Sequence, residues 1–330
     1  MKILITGASG FVGSAVLRKL LDAGHEVRAL VRKNSDRRNV SALTVELIEG
    51  DLGDSDSLRR AVSGCDRLYH VAADYRLWIP DPEKMYRINV QGTVDLMRRA
   101  AEAGVSRIIY TSSVAALGLN SDGTPADEET PNSLERVIGH YKRSKYLAEQ
   151  AVLGLVRDEG LPVVTVNPST PVGPRDVRPT PTGKMILDTL NGKMPAFVDT
   201  GLNIVHVDDV AQGHLLADEY GAIGEKYILG GEDMSLQSIL QQISAMAGRR
   251  PPRIRIPHNL IIPVAWMMER IAGVSGKEPL ATVDSIRMAK KKMYFSSARA
   301  RERLRYQPRP AREGLADAVR WFREHGYSRD

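Results

Sequence analysis

Tyr141 and Lys145 stand four residues apart in the stretch His140–Arg157, whose apolar spacing predicts a helix, so both side chains fall on one face. A phenol with a fixed ammonium beside it gives up or takes a proton more easily near neutral pH. Bringing it down from a free pKa of about 10 needs a shift on the order of 3 units, or ~4 kcal/mol. Ser113 ends the cluster Thr111-Ser112-Ser113 and could donate to the same oxygen that Tyr141 protonates. Together these residues suit acid–base chemistry at an alcohol or carbonyl oxygen. The spacing Y-x-x-x-K is cheap, and a solvated helix face or a strand-end turn would explain the residues equally well. Position has to decide, so the surrounding elements matter.

A second group stands at the start of the chain. Gly7, Gly10 and Gly13 in Thr6-Gly7-Ala8-Ser9-Gly10-Phe11-Val12-Gly13 lie between an apolar run, Ile3–Thr6, and the helical stretch Phe11–Ala23. Such a turn needs residues without Cβ clashes and backbone close enough to touch a pyrophosphate, which then sits at the positive end of the helix. In this context the loop, with Ser9, Phe11 and Val12, is expected to bind a dinucleotide. The second strand ends Val31-Arg32-Lys33, with no acid to bond a ribose 2′-hydroxyl. Arg32 could clamp a 2′-phosphate, helped by Lys33, Arg37 or Arg38, or could be a surface charge; NADP is favoured over NAD. Asp51 and Leu52 after the third strand are placed beside the adenine, with an ordinary turn as the alternative. Val71, Ala72 and Ala73 are small enough to let the cofactor approach the fourth strand, although core packing would also explain them.

The elements that must position these groups alternate. Strands are predicted at Ile3–Thr6, Val27–Val31, Thr44–Glu49, Arg67–Val71, Arg107–Thr111 and Val163–Asn167. Helical stretches lie at Phe11–Ala23, Leu58–Val62, Glu83–Ala103 and His140–Arg157. This order implies right-handed crossovers and an α/β, Rossmann-type doubly wound parallel sheet. The sheet brings strand ends and the Tyr141 helix to one crevice. From Pro168 to Pro181, Pro and Gly are dense, as in a loop near a site. Beyond it, helices are predicted at Ser235–Ala247, Leu260–Ala272 and Thr282–Lys292, with short strands near Ile204–Val207 and Lys226–Leu229. The expectation is a cofactor-binding unit, 1–170, to which elements after 200 return, and a smaller, mostly helical substrate unit, 171–330.

Composition sets limits. The chain has 330 residues, 42% hydrophobic and 26% charged, enough apolar material for a sizeable core. A single cysteine, Cys65, excludes a disulfide framework and argues against a cysteine zinc site. No metal is expected, because His206 and Asp208 lack a third ligand at suitable spacing; they are read as positioning the chain between the two units. No signal peptide is visible, and the apolar run Leu260–Met268 is too short to span a bilayer, so a cytoplasmic protein is expected. That run, with Trp266, Met267 and Met268, is read as a core helix rather than a lipid-binding surface. Net charge is +6, yet residues 249–330 carry 19 Lys and Arg against 8 Asp and Glu. This basic region could meet a phosphorylated substrate, an anionic membrane surface, or only solvent; nucleic acid is not expected, since no aromatics interleave the cations.

In order, the motifs TGASGFVG, GDL, HVAA, NVQGT, YTSSV, YKRSK and VNPSTPVGP resemble an extended short-chain dehydrogenase/reductase over about the first 175 residues, and HVDDVA extends the match. That resemblance implies Ser113, Tyr141 and Lys145 as the catalytic triad, with Asn89 a helical supporting residue. It also implies Asn167, Pro168, Ser169 and Thr170 at the cofactor, and a homodimer bundle built from Glu83–Ala103 and His140–Arg157. The stretches AADYRLW, PSTPVGPRDVRPTPTG and NGKMPAFVDTGLNIVHVDDVA are most similar to the hopanoid-associated sugar epimerases, a group akin to dihydroflavonol-4-reductases and placed in lipid biosynthesis. Two departures weigh against sugar epimerisation: Val31 where epimerases carry an acid, and Leu117 where they carry a tyrosine.

The expected reaction is hydride transfer to a carbonyl on a sugar, polyol or polycyclic small molecule. The alternatives are an epimerase that retains its cofactor and a non-catalytic cofactor sensor, the latter disfavoured by the Tyr–Lys pair. Tyr75, Arg76 and Trp78 after the fourth strand could stack on a substrate ring or pack their loop. After the sixth, Arg175, Arg178 and Lys184 are further candidates, and Arg175 and Lys184 could hold phosphates or be surface charge.

Overall fold

The computed structural model describes residues 1–76, 81–275 and 282–328. Its first half alternates β1 (Lys2–Thr6), α1 (Phe11–Asp22), β2 (Glu26–Val31), β3 (Glu46–Glu49), α2 (Ser55–Val62), β4 (Arg67–His70), α3 (Pro82–Tyr86), α4 (Gly92–Glu102), β5 (Arg107–Thr111), α5 (His140–Glu159) and β6 (Val163–Pro168). Apart from the exposed edge strand β3, the strands are short, mainly apolar and largely buried runs, as a parallel sheet with helices on each side demands. Then come β7 (Thr170–Val172), α6 (Pro181–Leu190), β8 (Ala196–Phe197), β9 (Gly201–His206), α7 (Val207–Tyr220), β10 (Lys226–Leu229) and β11 (Glu232–Ser235). The chain closes with α8 (Leu236–Met246), β12 (Ile254–Arg255), α9 (His258–Ser275), α10 (Val283–Ala289), α11 (Ala298–Leu304) and α12 (Ala311–Glu324).

The main sheet has seven parallel strands in the order β10-β6-β5-β4-β1-β2-β3. From β1 the chain winds outward to β3, then crosses back to β4 on the other side. The order therefore reverses between β1 and β4, and a crevice opens beyond their carboxyl ends. A three-stranded sheet (β11-β9-β7) and a two-stranded one (β12-β8) make up the rest of the β structure. β10 enters the main sheet beside β6, and α7 packs along α1.

Three expectations change. The single helix Glu83–Ala103 is three pieces: α3, a π-helical turn at Arg87–Gln91, and α4. The extra residue in that turn lets Asn89 face inward, where it is 2% exposed. The run Pro168–Pro181 is not all loop, since Thr170–Val172 pairs with β9. Leu260–Met268 is helical but is not a core helix: Leu260, Val264, Trp266 and Met267 are all more than half exposed.

Candidate active site

The glycine loop lies at the switch point because close contacts leave no room for side chains. Gly7 has φ +77°, and a Cβ there would sit 2.7 Å from the Ala72 nitrogen. A Cβ on Gly13 would fall 2.1 Å from the Gly7 carbonyl oxygen, so α1 is seated directly on the loop. No side chain caps α1, and its first turn holds no acid, which leaves its leading N–H groups for an anion. Ser9, Gly10, Phe11 and Val12 border this gap.

The Val71-Ala72-Ala73 segment runs on from β4 across the loop. Its Ala72 N–H donates to Thr6 Oγ1 (3.2 Å), and Thr6 Oγ1 meets His70 Nδ1 at 2.8 Å. On the other side of the ring, His70 Nε2 lies 2.9 Å from Thr93 Oγ1, which itself donates to the Asn89 carbonyl. The Thr93 hydrogen is thus committed, so Nε2 carries the imidazole proton and Nδ1 accepts from Thr6. Burial, aided by the Lys145 ammonium, pushes His70 down to about 3, so the ring is neutral. Sequence reading missed this histidine.

The three catalytic candidates converge. Lys145, 3% exposed, donates to the Thr111 carbonyl at 2.8 Å and lies over the Tyr110 ring at 5.1 Å. Burial pushes its ammonium down to about 8, opposed by the Glu149 carboxylate. Ser113 Oγ accepts from the Ala115 N–H (3.1 Å), and its side chain stands close enough to the Tyr141 phenol to lower it. One expectation is corrected here: the Tyr141 phenol is not made acidic by Lys145. Burial raises it above its ordinary value, and the nearby Ser113 hydroxyl only partly offsets this. Lys145 spends its donor on the backbone of β5 instead.

Below the triad, Glu149 accepts from Ser112 Oγ (2.5 Å) and Asn167 Nδ2 (2.7 Å), and faces Lys226 Nζ at 3.6 Å. Asn167 Nδ2 also reaches the Ser113 carbonyl at 3.1 Å, tying β6 to the strand end that carries the serine. Glu149 was legible only as the next turn of the Tyr141–Lys145 face. Asn89 Nδ2 donates to Ser144 Oγ and the Asp74 carbonyl, both at 2.9 Å, while its Oδ1 accepts from the Asp74 N–H at 2.7 Å. Ser144 in turn bonds the Tyr141 carbonyl at 2.7 Å.

The candidate dinucleotide residues fit the group on three observations. The loop approaches β4 too closely for any side chain at Gly7, and the end of α1 is uncapped. At the end of β6, Asn167 Oδ1 and Ser169 Oγ are buried without a hydrogen-bond partner. Pro168 and Thr170 flank Ser169 where β6 passes into β7. Arg32 and Lys33 are exposed, and neither forms an ion pair among the described residues, whereas Arg37 is held by Glu49 at 2.7 Å and Arg38 by Asp36 at 2.6 Å. Asp51 Oδ1 accepts from the Gly53 N–H at 2.9 Å, the turn expected as one alternative, with Leu52 buried beneath.

Val114 and Lys142, the chain neighbours of Ser113 and Tyr141, line an open cleft. Its lining mixes apolar side chains (Val114, Leu117, Val137, Ile138, Met288, Phe295) with Asn132 and three cations, Arg136, Lys142 and Lys291. Among the described residues the Lys142 ammonium meets the Met293 sulfur at 3.5 Å, and burial beside Lys291 pushes it down to about 8. Tyr75 is 44% exposed and close enough to Tyr141 to raise it further. Trp78 lies outside the described residues. Arg175 does not stand free for a phosphate: its guanidinium is paired with Asp208, and its carbonyl accepts from Asn39, which also reaches the Ser9 carbonyl. Lys184 is exposed on α6. His206 caps α7 and bonds Asp317 of α12 at 3.2 Å.

The model of the family described as "NAD dependent epimerase/dehydratase family" matches residues 3–230. The solved structure of gox2253 is 57% identical, covers 99% of each chain and superposes with a TM-score of 0.90. A Synechocystis sp. protein provisionally named a dihydroflavonol 4-reductase is 45% identical over 98% of this chain and 95% of its own. Sterol demethylase protein B of Methylococcus capsulatus is 38% identical over 99% of both.

Proposed function

The chain belongs to the NAD-dependent epimerase/dehydratase family of extended short-chain dehydrogenases/reductases and is an enzyme, and from that premise we propose that it reduces a carbonyl on a bulky, mainly apolar substrate with NADPH. The observation that carries this reading is that Ser113 stands close enough to the Tyr141 phenol to shift it, while their chain neighbours Val114 and Lys142 line a cleft of mostly apolar side chains.

The bound nicotinamide dinucleotide supplies the hydride. Residues 1–170 hold it: Gly7, Gly10, Gly13 and the α1 N-terminus take the pyrophosphate, while Asn167 and Ser169 meet polar groups beyond the sheet. Arg32 and Lys33, exposed and without an ion pair among the described residues, would take a 2′-phosphate, which favours NADP. The substrate carbonyl oxygen accepts from Ser113 Oγ and the Tyr141 hydroxyl. As negative charge grows on that oxygen, Tyr141 gives up its proton and the product alcohol forms. A phenol held neutral by burial is primed for this direction, since it is protonated at every physiological pH. Lys145, fixed on the Thr111 carbonyl, holds the end of β5 that leads into Ser113. Residues 171–330 supply part of the cleft wall, through Met288, Lys291 and Phe295. A polycyclic ketone suits these walls better than a bare sugar, and Lys142 and Lys291 suit an acidic or phosphorylated substituent on it.

Purified protein mixed with NADPH and a panel of ketones, including polycyclic ones, tests this. Stoichiometric loss of NADPH absorbance is the expected result. Exchange of alcohol isomers without net NADPH loss would overturn it in favour of an epimerase that keeps its cofactor. Tyr141→Phe should lower turnover on the order of 100- to 10,000-fold while leaving NADPH binding intact.

A further inference from the structure

Six of the twelve large apolar side chains that stand exposed among the described residues fall between Ile254 and Ile271. Leu260, Val264, Met267 and Ile271 are 67%, 51%, 60% and 60% exposed. Their spacing of four, three and four residues puts them in one stripe along α9. Trp266 is 52% exposed, with the Arg270 guanidinium 4.9 Å over its ring. The buried positions of α9 are small ones, Ala265 and Ala272. Its connections to α10 are polar: Glu269 accepts the Val283 N–H at 2.9 Å, and His258 Nε2 bonds the Ala289 carbonyl at 3.1 Å. The helix is seated by alanines, the half-buried Ile261, Ile262 and Met268, and hydrogen bonds, while five of its large apolar side chains are turned to solvent.

The charge around this stripe is one-sided. Residues 249–292 contain ten Lys and Arg against three Asp and Glu. Arg253, Arg255, Arg270, Lys290 and Lys292 are exposed. We propose that α9 docks on an anionic lipid surface, its apolar stripe entering the boundary between headgroups and acyl chains and the surrounding cations meeting lipid phosphates. A second copy of this chain is a poor occupant, because a two-fold contact through α9 would press two basic surfaces together. The proposal does not rest on the reductase reading. It does carry a consequence for it, since α10 both supports α9 and, through Met288, lines the cleft that Lys142 also lines.

The test is co-sedimentation of the full chain with phosphatidylcholine vesicles, either alone or containing about 30% phosphatidylglycerol. The expected result is sedimentation with the anionic vesicles only, a blue shift of tryptophan fluorescence, and weakening as salt is raised. Val264→Asp with Met267→Asp should cut the partition on the order of tenfold, and Arg253→Gln with Lys290→Gln and Lys292→Gln several-fold. Both variants should keep wild-type circular dichroism and NADPH affinity, which separates lost docking from lost folding. Absence of anionic-vesicle binding, equal binding to neutral vesicles, or unchanged binding by the Asp variant would overturn the proposal. So would a dimer in solution that the Asp variant splits, which would make a second copy the true cover. If turnover fails for every ketone while vesicle binding behaves as expected, the docking stands and the reductase reading falls.

Discussion

Burial governs protonation at single residues here, and it does so in both directions. It keeps the Tyr141 phenol and the His70 imidazole neutral, and it loosens the proton on Lys145. The same force acts on Asp176, 2% exposed, whose Oδ2 accepts from the N–H and hydroxyl of Thr180 at 2.9 and 2.8 Å while Oδ1 is buried unpartnered. Its carboxyl is pushed up to about 6 by burial, against the Thr180 bonds. A raised acid contributes its full stability below the unfolded value near 3.8 and loses it as pH climbs through 6. Asp176→Asn keeps the acceptor for Thr180 and removes the ionisation. It should therefore match wild type in urea melts at pH 4 and exceed it by on the order of 2–3 kcal/mol at pH 8. Equal midpoints at both pH values would show that Asp176 ionises without strain. Arg32 gives the cofactor counterpart: Arg32→Ala should raise KM for NADPH roughly tenfold to a hundredfold and leave KM for NADH unchanged, as steady-state kinetics would show.

Elements carry these residues through a few clamps. The π-helical turn turns Asn89 onto both Asp74, beyond β4, and Ser144, beside Tyr141. Asn89→Ala strands the Asp74 N–H and should cost about 1–3 kcal/mol in thermal melts. It should also lower kcat while NADPH affinity holds, because the groups it positions serve the Tyr141 helix rather than the glycine loop. Much of this architecture was legible. The six strands of the first half and the α1, α2 and α5 helices follow from apolar periodicity, and Gly7, Gly10 and Gly13 sit where strand must turn to helix. The π-turn was not legible, since a one-residue bulge leaves the apolar pattern of Glu83–Ala103 almost unbroken. Nor was α7, whose buried face mixes Asp209 and His214 with Val210 and Ala211, so no clean apolar stripe marks it. Exposure of α9 was hidden for the opposite reason: its apolar residues read as core, and only tertiary packing reveals that Ala265 and Ala272 are what it buries. At the site, the Tyr–Lys spacing was readable, whereas the sign of the Tyr141 shift depends on three-dimensional burial that spacing does not contain.

At the scale of the whole molecule, the later half of the chain is built into the earlier one. β10 extends the main sheet next to β6, and one core cluster joins Ile3, Val16 and Ile109 to Val205, Tyr227, Leu304 and Tyr306. The Ser297 hydroxyl bonds the Gly230 N–H at 3.2 Å, and Arg309 holds Asp209 of α7 at 2.8 Å, so the chain after β10 is fastened to that sheet at several points. Two units that each held their own core would melt separately. A shared core predicts a single cooperative transition across both halves of the chain. Leu304→Ala tests this, because Leu304 is fully buried nearly three hundred residues from the glycine loop in sequence. The cavity should cost about 2–5 kcal/mol. In calorimetry the variant should show one peak, moved down as a whole, and saturating NADPH should move that same peak up in both proteins. Two peaks, of which only the later one answers to Leu304→Ala and only the earlier one to NADPH, would mean that the halves fold independently and that the strand shared at β10 is a docking contact rather than a common core.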